Sequence, residues 1–268
     1  MADRVKICWV TDPHLEFLDP WEQERFLDRL AHQFGDAFLI TGDIADSVQI
    51  GSVLDRLARS VRKPIYFVLG NHDFYQGSVR ETNSAADGRV AQHSNLDWLQ
   101  GREIIELGST TALIGIGGWA DGLGGLGPAT TRRVADFEFI EDLSTLPNDV
   151  QRFAWMRDFA NRDASQLGIV LEEALGSYTK IIVATHVPPF EGAAWHAGKP
   201  SEPDYQPFFS SPTMGKILLQ AAREHPEKSV EVYCGHTHGK GTYSIENISV
   251  FTGNAEYGKP DINGMIEL

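Results

Sequence analysis

The stretch AFLITGDIADS, Ala37 to Ser47, opens on four apolar residues and turns polar at a glycine and two aspartates. A short continuous apolar run bounded by turn residues reads as a strand buried on both faces. The same order recurs along the chain. VKICWV (5–10) runs into TDPHLE, PIYFVL (64–69) into GNHDFY, KIIVA (180–184) into THVPP, and VEVYC (230–234) into GHTHG.

Helical patterns lie between these runs. Asp19-Pro20-Trp21-Glu22 predicts a helix start, with Asp19 as N-cap, Pro20 at the first helical position and Glu22 closing a capping box. Phe26, Leu27, Leu30, Ala31 and Phe34 then share one face, and Gly35 ends the helix. Ile50, Val53, Leu54, Leu57 and Val61 repeat the spacing, and a long helix is expected over 149–175. Strands alternating with helices predict an α/β architecture. With 268 residues, 42% of them hydrophobic, and no low-complexity linker, a single domain over 1–268 is expected.

The formal net charge of −14 argues against nonspecific binding of duplex nucleic acid, which needs a basic surface. The only two cysteines, Cys8 and Cys234, fall inside apolar runs, which points to a reduced compartment rather than a disulfide framework. With no apolar run of membrane-spanning length and no leader pattern in MADRVKICWVTD, a soluble cytoplasmic protein without membrane partners is expected.

Collecting the polar clusters gives Asp12 and His14; Asp43 and Asp46; Asn71, His72 and Asp73; His186; and His236 and His238. Singly, each has an ordinary explanation, since Asp and Pro favour turns and an aspartate after glycine caps a helix. Together they occupy the same position relative to five strands, and α/β sheets gather such strand-end loops into one site. Imidazole mixed with carboxylate suits Mn, Fe, Zn, Co or Ni and not Ca. Seven of the clustered residues, Asp12, His14, Asp43, Asn71, His186, His236 and His238, already exceed the needs of one ion, so two divalent cations sharing a carboxylate are expected, with Mn or Fe favoured. Two such ions outweigh the charges of Asp12, Asp43 and a hydroxide, so the site would attract an anionic phosphoryl group.

The series DPH, GDIAD, GNHD, THVPP and GHTH, from Asp12 to His238, resembles the calcineurin-like metallophosphoesterases in order and spacing. The resemblance implies a sandwich of two mixed β-sheets flanked by helices. It implies one metal held by Asp12, His14, Asp43 and His238, and a second by Asp43, Asn71, His186 and His236. It also implies that His72 assists the phosphoryl oxygens or leaving group, oriented by Asp46, with Asp73 the weaker alternative partner. The reaction implied is phosphoester hydrolysis by a hydroxide bridging the metals, on a small or nucleotide-like phosphodiester. A phosphomonoesterase or nuclease of the same fold is the alternative, followed by a non-catalytic metal-binding scaffold. Protein phosphatases of the superfamily carry an arginine and a glutamate where this chain has Ser47 and Asp73.

Two irregular segments fall outside this pattern, the glycine-dense 115–133 and the aromatic, proline-rich 189–209. Within them Trp119, Trp195 and Tyr205 are candidates to stack on a substrate, and Arg132, Arg133 and Lys199 to meet a second phosphate. The competing reading makes Trp119 core and the arginines ordinary surface charges.

Overall fold

The computed structural model describes residues 5–268. Strands β1 (Lys6–Val10), β2 (Ala37–Thr41), β3 (Ile65–Val68) and β4 (Leu96–Trp98) come first. Next are β5 (Ile105–Glu106), β6 (Thr111–Gly115) and β7 (Lys180–Ala184). A small pair, β8 (Trp195–His196) and β9 (Lys199–Pro200), precedes β10 (Ser229–Cys234), β11 (Gly241–Ile245), β12 (Ile248–Thr252) and β13 (Gly264–Glu267). The helices are α1 (Pro20–Ala31), α2 (Ile50–Ser60), α3 (Val79–Val90), α4 (Asp136–Phe139), α5 (Glu141–Ser144), α6 (Asp149–Ser177), α7 (Gln206–Phe209) and α8 (Pro212–Glu224).

Two mixed sheets carry the fold. The first has the order β13-β1-β2-β3-β4, parallel except for β13, and the second runs β11-β12-β10-β7-β6-β5 with antiparallel edges. Side chains alternate across each strand, and the alternation sorts the core into layers. Ile7, Trp9 and Leu39 of the first sheet meet Leu113, Ile182 and Ala184 of the second in a shared inner layer. Their neighbours Cys8, Val10, Phe38 and Ile40 point outward onto Phe26, Leu27, Leu30, Val53, Leu54 and Leu57 of α1 and α2. On the other side Ile181, Val183 and Val232 pack on Leu167 and Leu171 of α6 and Leu218 of α8. A sandwich of two sheets between outer helices follows from that pattern. Cys8 and Cys234 are both buried and unpaired, and burial pushes their thiols up to about 11 and 12.

Helix α1 starts as its sequence dictates. The Asp19 side chain accepts from Glu22 N at 2.8 Å and Glu22 Oε2 accepts from Asp19 N at 3.0 Å, a reciprocal cap worth about 1 kcal/mol. Its end differs from expectation. The helix stops at Ala31 rather than reaching Gly35: His32 N makes the last helical bond, to Asp28 O, and Gln33 N then bonds Leu30 O in a tighter turn. Phe34 is therefore 87% exposed instead of joining the apolar face. The long helix α6 runs two residues past the expected 175, with Asn148 capping Gln151 N at 3.0 Å. None of the described helices is long and apolar enough to cross a membrane.

The two irregular segments pack on each other. Leu126 N donates to Pro203 O, Gly125 N to Glu191 Oε1 at 2.9 Å, and Thr130 Oγ1 to Asp204 Oδ1 at 2.7 Å.

Candidate metal centre

The polar clusters that follow β1, β2, β3, β7 and β10 converge at one end of the sandwich. Ligating atoms of Asp12, His14, Asp43 and His238 all lie within 4.8 Å of one another. His14 Nε2 is 3.0 Å from His238 Nε2 and 3.6 Å from Asp43 Oδ2, and His238 Nε2 is 3.5 Å from Asp12 Oδ1. On the other side, Asp43 Oδ1 is 3.3 Å from His186 Nε2. Asn71 Oδ1 lies 3.0 Å from His186 Nε2 and 2.9 Å from His236 Nδ1. Asp43 thus turns one oxygen toward each group of histidines.

The outer contacts decide which atoms face inward. His186 Nδ1 lies 2.8 Å from Thr41 O, and His236 Nε2 lies 2.7 Å from Phe208 O. A carbonyl only accepts, so each of these nitrogens carries a proton, and the ring's other nitrogen is the one that would present a lone pair to a bound cation. His14 Nδ1 is held by Glu16 Oε1 at 3.1 Å, with the same result at Nε2. Asn71 Nδ2 donates to Asp136 Oδ1 at 2.9 Å, which turns its amide oxygen inward. Lone pairs aimed at one another across about 3 Å are what a cation site requires, and the imidazole–carboxylate donor set fits divalent transition metals.

Backbone geometry supports the same centre. Among the described residues, eight non-glycine residues have positive φ, and Asp12, His14, Asp43, His236 and His238 are five of them. Each costs on the order of 1–3 kcal/mol, and such strain collects at functional sites. The flanking glycines make room: a Cβ on Gly42 would sit 2.5 Å from His186 Nδ1, and one on Gly70 would sit 2.3 Å from Asp43 Oδ1.

Electrostatics follow the geometry. Burial opposes ionisation of Asp43, yet the His186 and His72 rings hold its carboxyl well below the usual range. Burial lowers His186, but the charge of Asp43 outweighs it and holds the imidazole up to about 10. His236 is pushed down to about 4 by burial and by the charge of His186. The carboxylates create a strong negative potential that only part of the imidazole cluster answers.

His72 sits on the turn after Asn71. Its backbone N–H donates to Asp43 Oδ1 at 2.8 Å, and its ring stacks on Tyr75 with centroids 4.1 Å apart. Burial lowers it, and the charges of Asp43, Asp136 and Glu16 raise it to about 9. Asp46 does not orient it. Asp46 Oδ1 accepts from Gln49 N at 2.9 Å and Oδ2 from Gln76 Nε2 at 3.1 Å, so the carboxylate braces the turn that leads into α2. Glu16 stands beside His72 instead, with Oε1 3.6 Å from Nδ1. Asp73, fully buried, accepts from Ile44 N, Ala45 N and Gly70 N at 2.7, 2.9 and 2.7 Å, tying two donor loops together.

A cavity of about 250 Å³ opens over the donors, walled by Tyr75, Phe208, Phe209, Tyr257, Asp136 and His196. The expected stacking residues lie elsewhere. Trp119 is core against Trp155 and Phe159, the Trp195 ring lies against Gly241, and Tyr205 is stacked between Phe209 and Arg132. The three candidate cations are paired: Arg132 with Asp204, Arg133 with Asp149 and Lys199 with Glu202. Glu16 and Asp136 are the site residues that the motifs miss. Glu16 stands in plain view two residues after His14, whereas nothing in the local sequence marks Asp136.

Residues 5–240 match the family model described as calcineurin-like phosphoesterase, and the chain belongs to that family of phosphoester hydrolases, whose members use a pair of divalent metals. No protein with a curated description matches the chain in sequence. Among solved structures, it is similar to the phosphopantetheinyl hydrolase of Mycobacterium tuberculosis, at 13% identity and a TM-score of 0.64 over 96% of this chain and 91% of that one. A Staphylococcus aureus protein assigned as a 5′-nucleotidase gives 13% identity and 0.52 over 99% of this chain and 54% of that one. The protein TT1561 of Thermus thermophilus gives 15% and 0.51, covering 94% and 89%. At these identities the likeness establishes the fold.

Proposed function

We propose that the protein is a binuclear metal-dependent phosphodiesterase acting on a small phosphoester. The observation that carries this reading is the charge of the cavity over the donors. Among its lining residues are four aromatic rings and the Asp136 carboxylate, and neither lysine nor arginine. A phosphodiester carries one negative charge, whereas a monoester near neutral pH carries nearly two. A wall with a carboxylate and no lysine or arginine, which leaves His72 and the bound metals to meet the phosphoryl charge, favours the less charged ester, and the rings suit an apolar or aromatic substituent.

Asp12, His14, Asp43 and His238 would hold one cation, and Asp43, Asn71, His186 and His236 the other, Mn or Fe being favoured. Bound there, the pair would supply an activated water and charge neutralisation at phosphorus. The chain's own residues do the rest. Asp43 couples the two halves, Asn71 is held oxygen-inward by Asp136, and the ring of His72 faces the cavity to stabilise phosphoryl oxygens or protonate the leaving alcohol. Tyr257, whose ring lies 4.6 Å from that of His14 and 4.8 Å from that of His238, limits water access from one side.

Initial rates on bis-p-nitrophenyl phosphate and p-nitrophenyl phosphate, with manganese present, test the reading. The diester is expected to turn over faster; equal or faster turnover of the monoester would overturn it.

A further inference from the structure

We propose that Glu16 is a positioning residue of this site, a single carboxylate that orients both the inward-facing imidazole of His14 and the proton-handling imidazole of His72. The His72 half rests on the phosphodiesterase reading above; the His14 half rests on its metal assignment alone.

Glu16 lies on the turn Leu15–Phe17 immediately after His14, with a side chain only 10% exposed. Its Oε1 is 3.1 Å from His14 Nδ1 and 3.6 Å from His72 Nδ1, and the two rings meet edge to face with centroids 4.5 Å apart. Two buried atoms here have no hydrogen-bond partner among the described residues: Glu16 Oε2 and His72 Nδ1. Buried polar atoms are rarely left unpaired, and these two belong to side chains already in contact. A small rotation of the carboxylate brings them together while Oε1 keeps His14.

The chemistry of the pairing is specific. A carboxylate on Nδ1 fixes the tautomer, so each ring offers Nε2 to the far side. For His14 that side holds Asp43 and His238; for His72 it is the cavity. Asp46 makes no hydrogen bond to His72, and its two oxygens accept from Gln49 and Gln76 instead. The acidic residue beside His72 therefore sits in a different loop from the one the motif spacing suggests.

Glu16→Gln in the full chain separates the possibilities. Manganese titration by calorimetry is expected to show two ions at saturation, one bound roughly 10–100-fold more weakly. Unchanged affinity for both ions would overturn the His14 role. One ion fewer at saturation would make Glu16 a ligand, and would overturn it too. Glu16→Asp, which keeps the charge, is expected to recover part of the affinity, and equal loss in both variants counts against orientation by charge. For His72, kcat is compared on methyl p-nitrophenyl phosphate and methyl phenyl phosphate. Glu16→Gln is expected to slow the phenyl ester, the poorer leaving group, several-fold more than the nitrophenyl ester. A uniform loss on both, or a steeper leaving-group dependence in Asp46→Asn than in Glu16→Gln, would overturn the His72 role. Should the unmodified protein hydrolyse neither diester, the phosphodiesterase reading and the His72 role fall together, while the titration still decides the His14 role.

Discussion

Nε2 of His186 lies 3.0 Å from Oδ1 of Asn71, and the outer contacts of both side chains leave these facing atoms to serve a bound cation. Thr41 O takes the imidazole proton at Nδ1 and Asp136 takes the amide protons, so a cation is the natural mediator between them. This opposition, repeated at His236 and His14, is the physical basis for assigning a metal centre.

Asp43→Asn should weaken both ions, because Asp43 alone turns an oxygen to each half of the cluster. Metal content of the purified variant checks this; near-normal content of two ions would remove Asp43 as the shared ligand.

His72→Ala should keep the metals and lower kcat on a diester by about 10²-fold or more, as removal of a general acid does. Steady-state rates paired with metal analysis decide it. Loss of metal in this variant would make His72 a ligand.

Asp136→Ala should free the Asn71 amide to flip, weakening the ion that Asn71 serves by roughly 10–100-fold while sparing the other. Competition with a chelator, followed ion by ion, reads the split. Two equally weakened sites would point to a general loosening of the pocket instead.

The contrast between these residues shows what the chain discloses on reading. Asp12, Asp43, Asn71, His186 and the His236–His238 pair are legible because each follows a buried strand, and strand ends on one side of a sandwich meet. Asp136 is not, since it reaches Asn71 across 65 residues from the far end of a glycine-rich loop. Asp46 misleads for a local reason: an aspartate three residues before Gln49 is also placed to accept from Gln49 N in the turn before α2, and that bond takes it. Phe34 misleads because the apolar periodicity continues past Ala31 while the helical hydrogen bonding ends at His32 and tightens at Gln33. Trp119 has the composition of a stacking residue and the burial of a core one, and only packing distinguishes them.

A second cavity, about 300 Å³ beside α3 and α6, is lined in part by Asp163, whose carboxyl burial pushes up to about 7 against the pull of Arg162. In the unfolded chain this group ionises near 4. Below that pH both states are protonated and nothing is lost; as pH rises from about 4 to 7 the unfolded state ionises first and the fold loses stability. Asp163→Asn should therefore stabilise the protein at pH 8, by on the order of 1–3 kcal/mol, and leave it unchanged near pH 4. Urea denaturation at the two pH values measures the difference, and an equal gain at both would rule out ionisation as its source.

The central claim is that seven side chains from five strand ends surround a pair of cations. Anomalous diffraction from crystals grown with manganese tests it most directly. The expected map has two peaks roughly 3.5–4 Å apart, with Asp43 between them, Asp12, His14 and His238 around one and Asn71, His186 and His236 around the other. A single peak, or none within reach of these side chains, would contradict it.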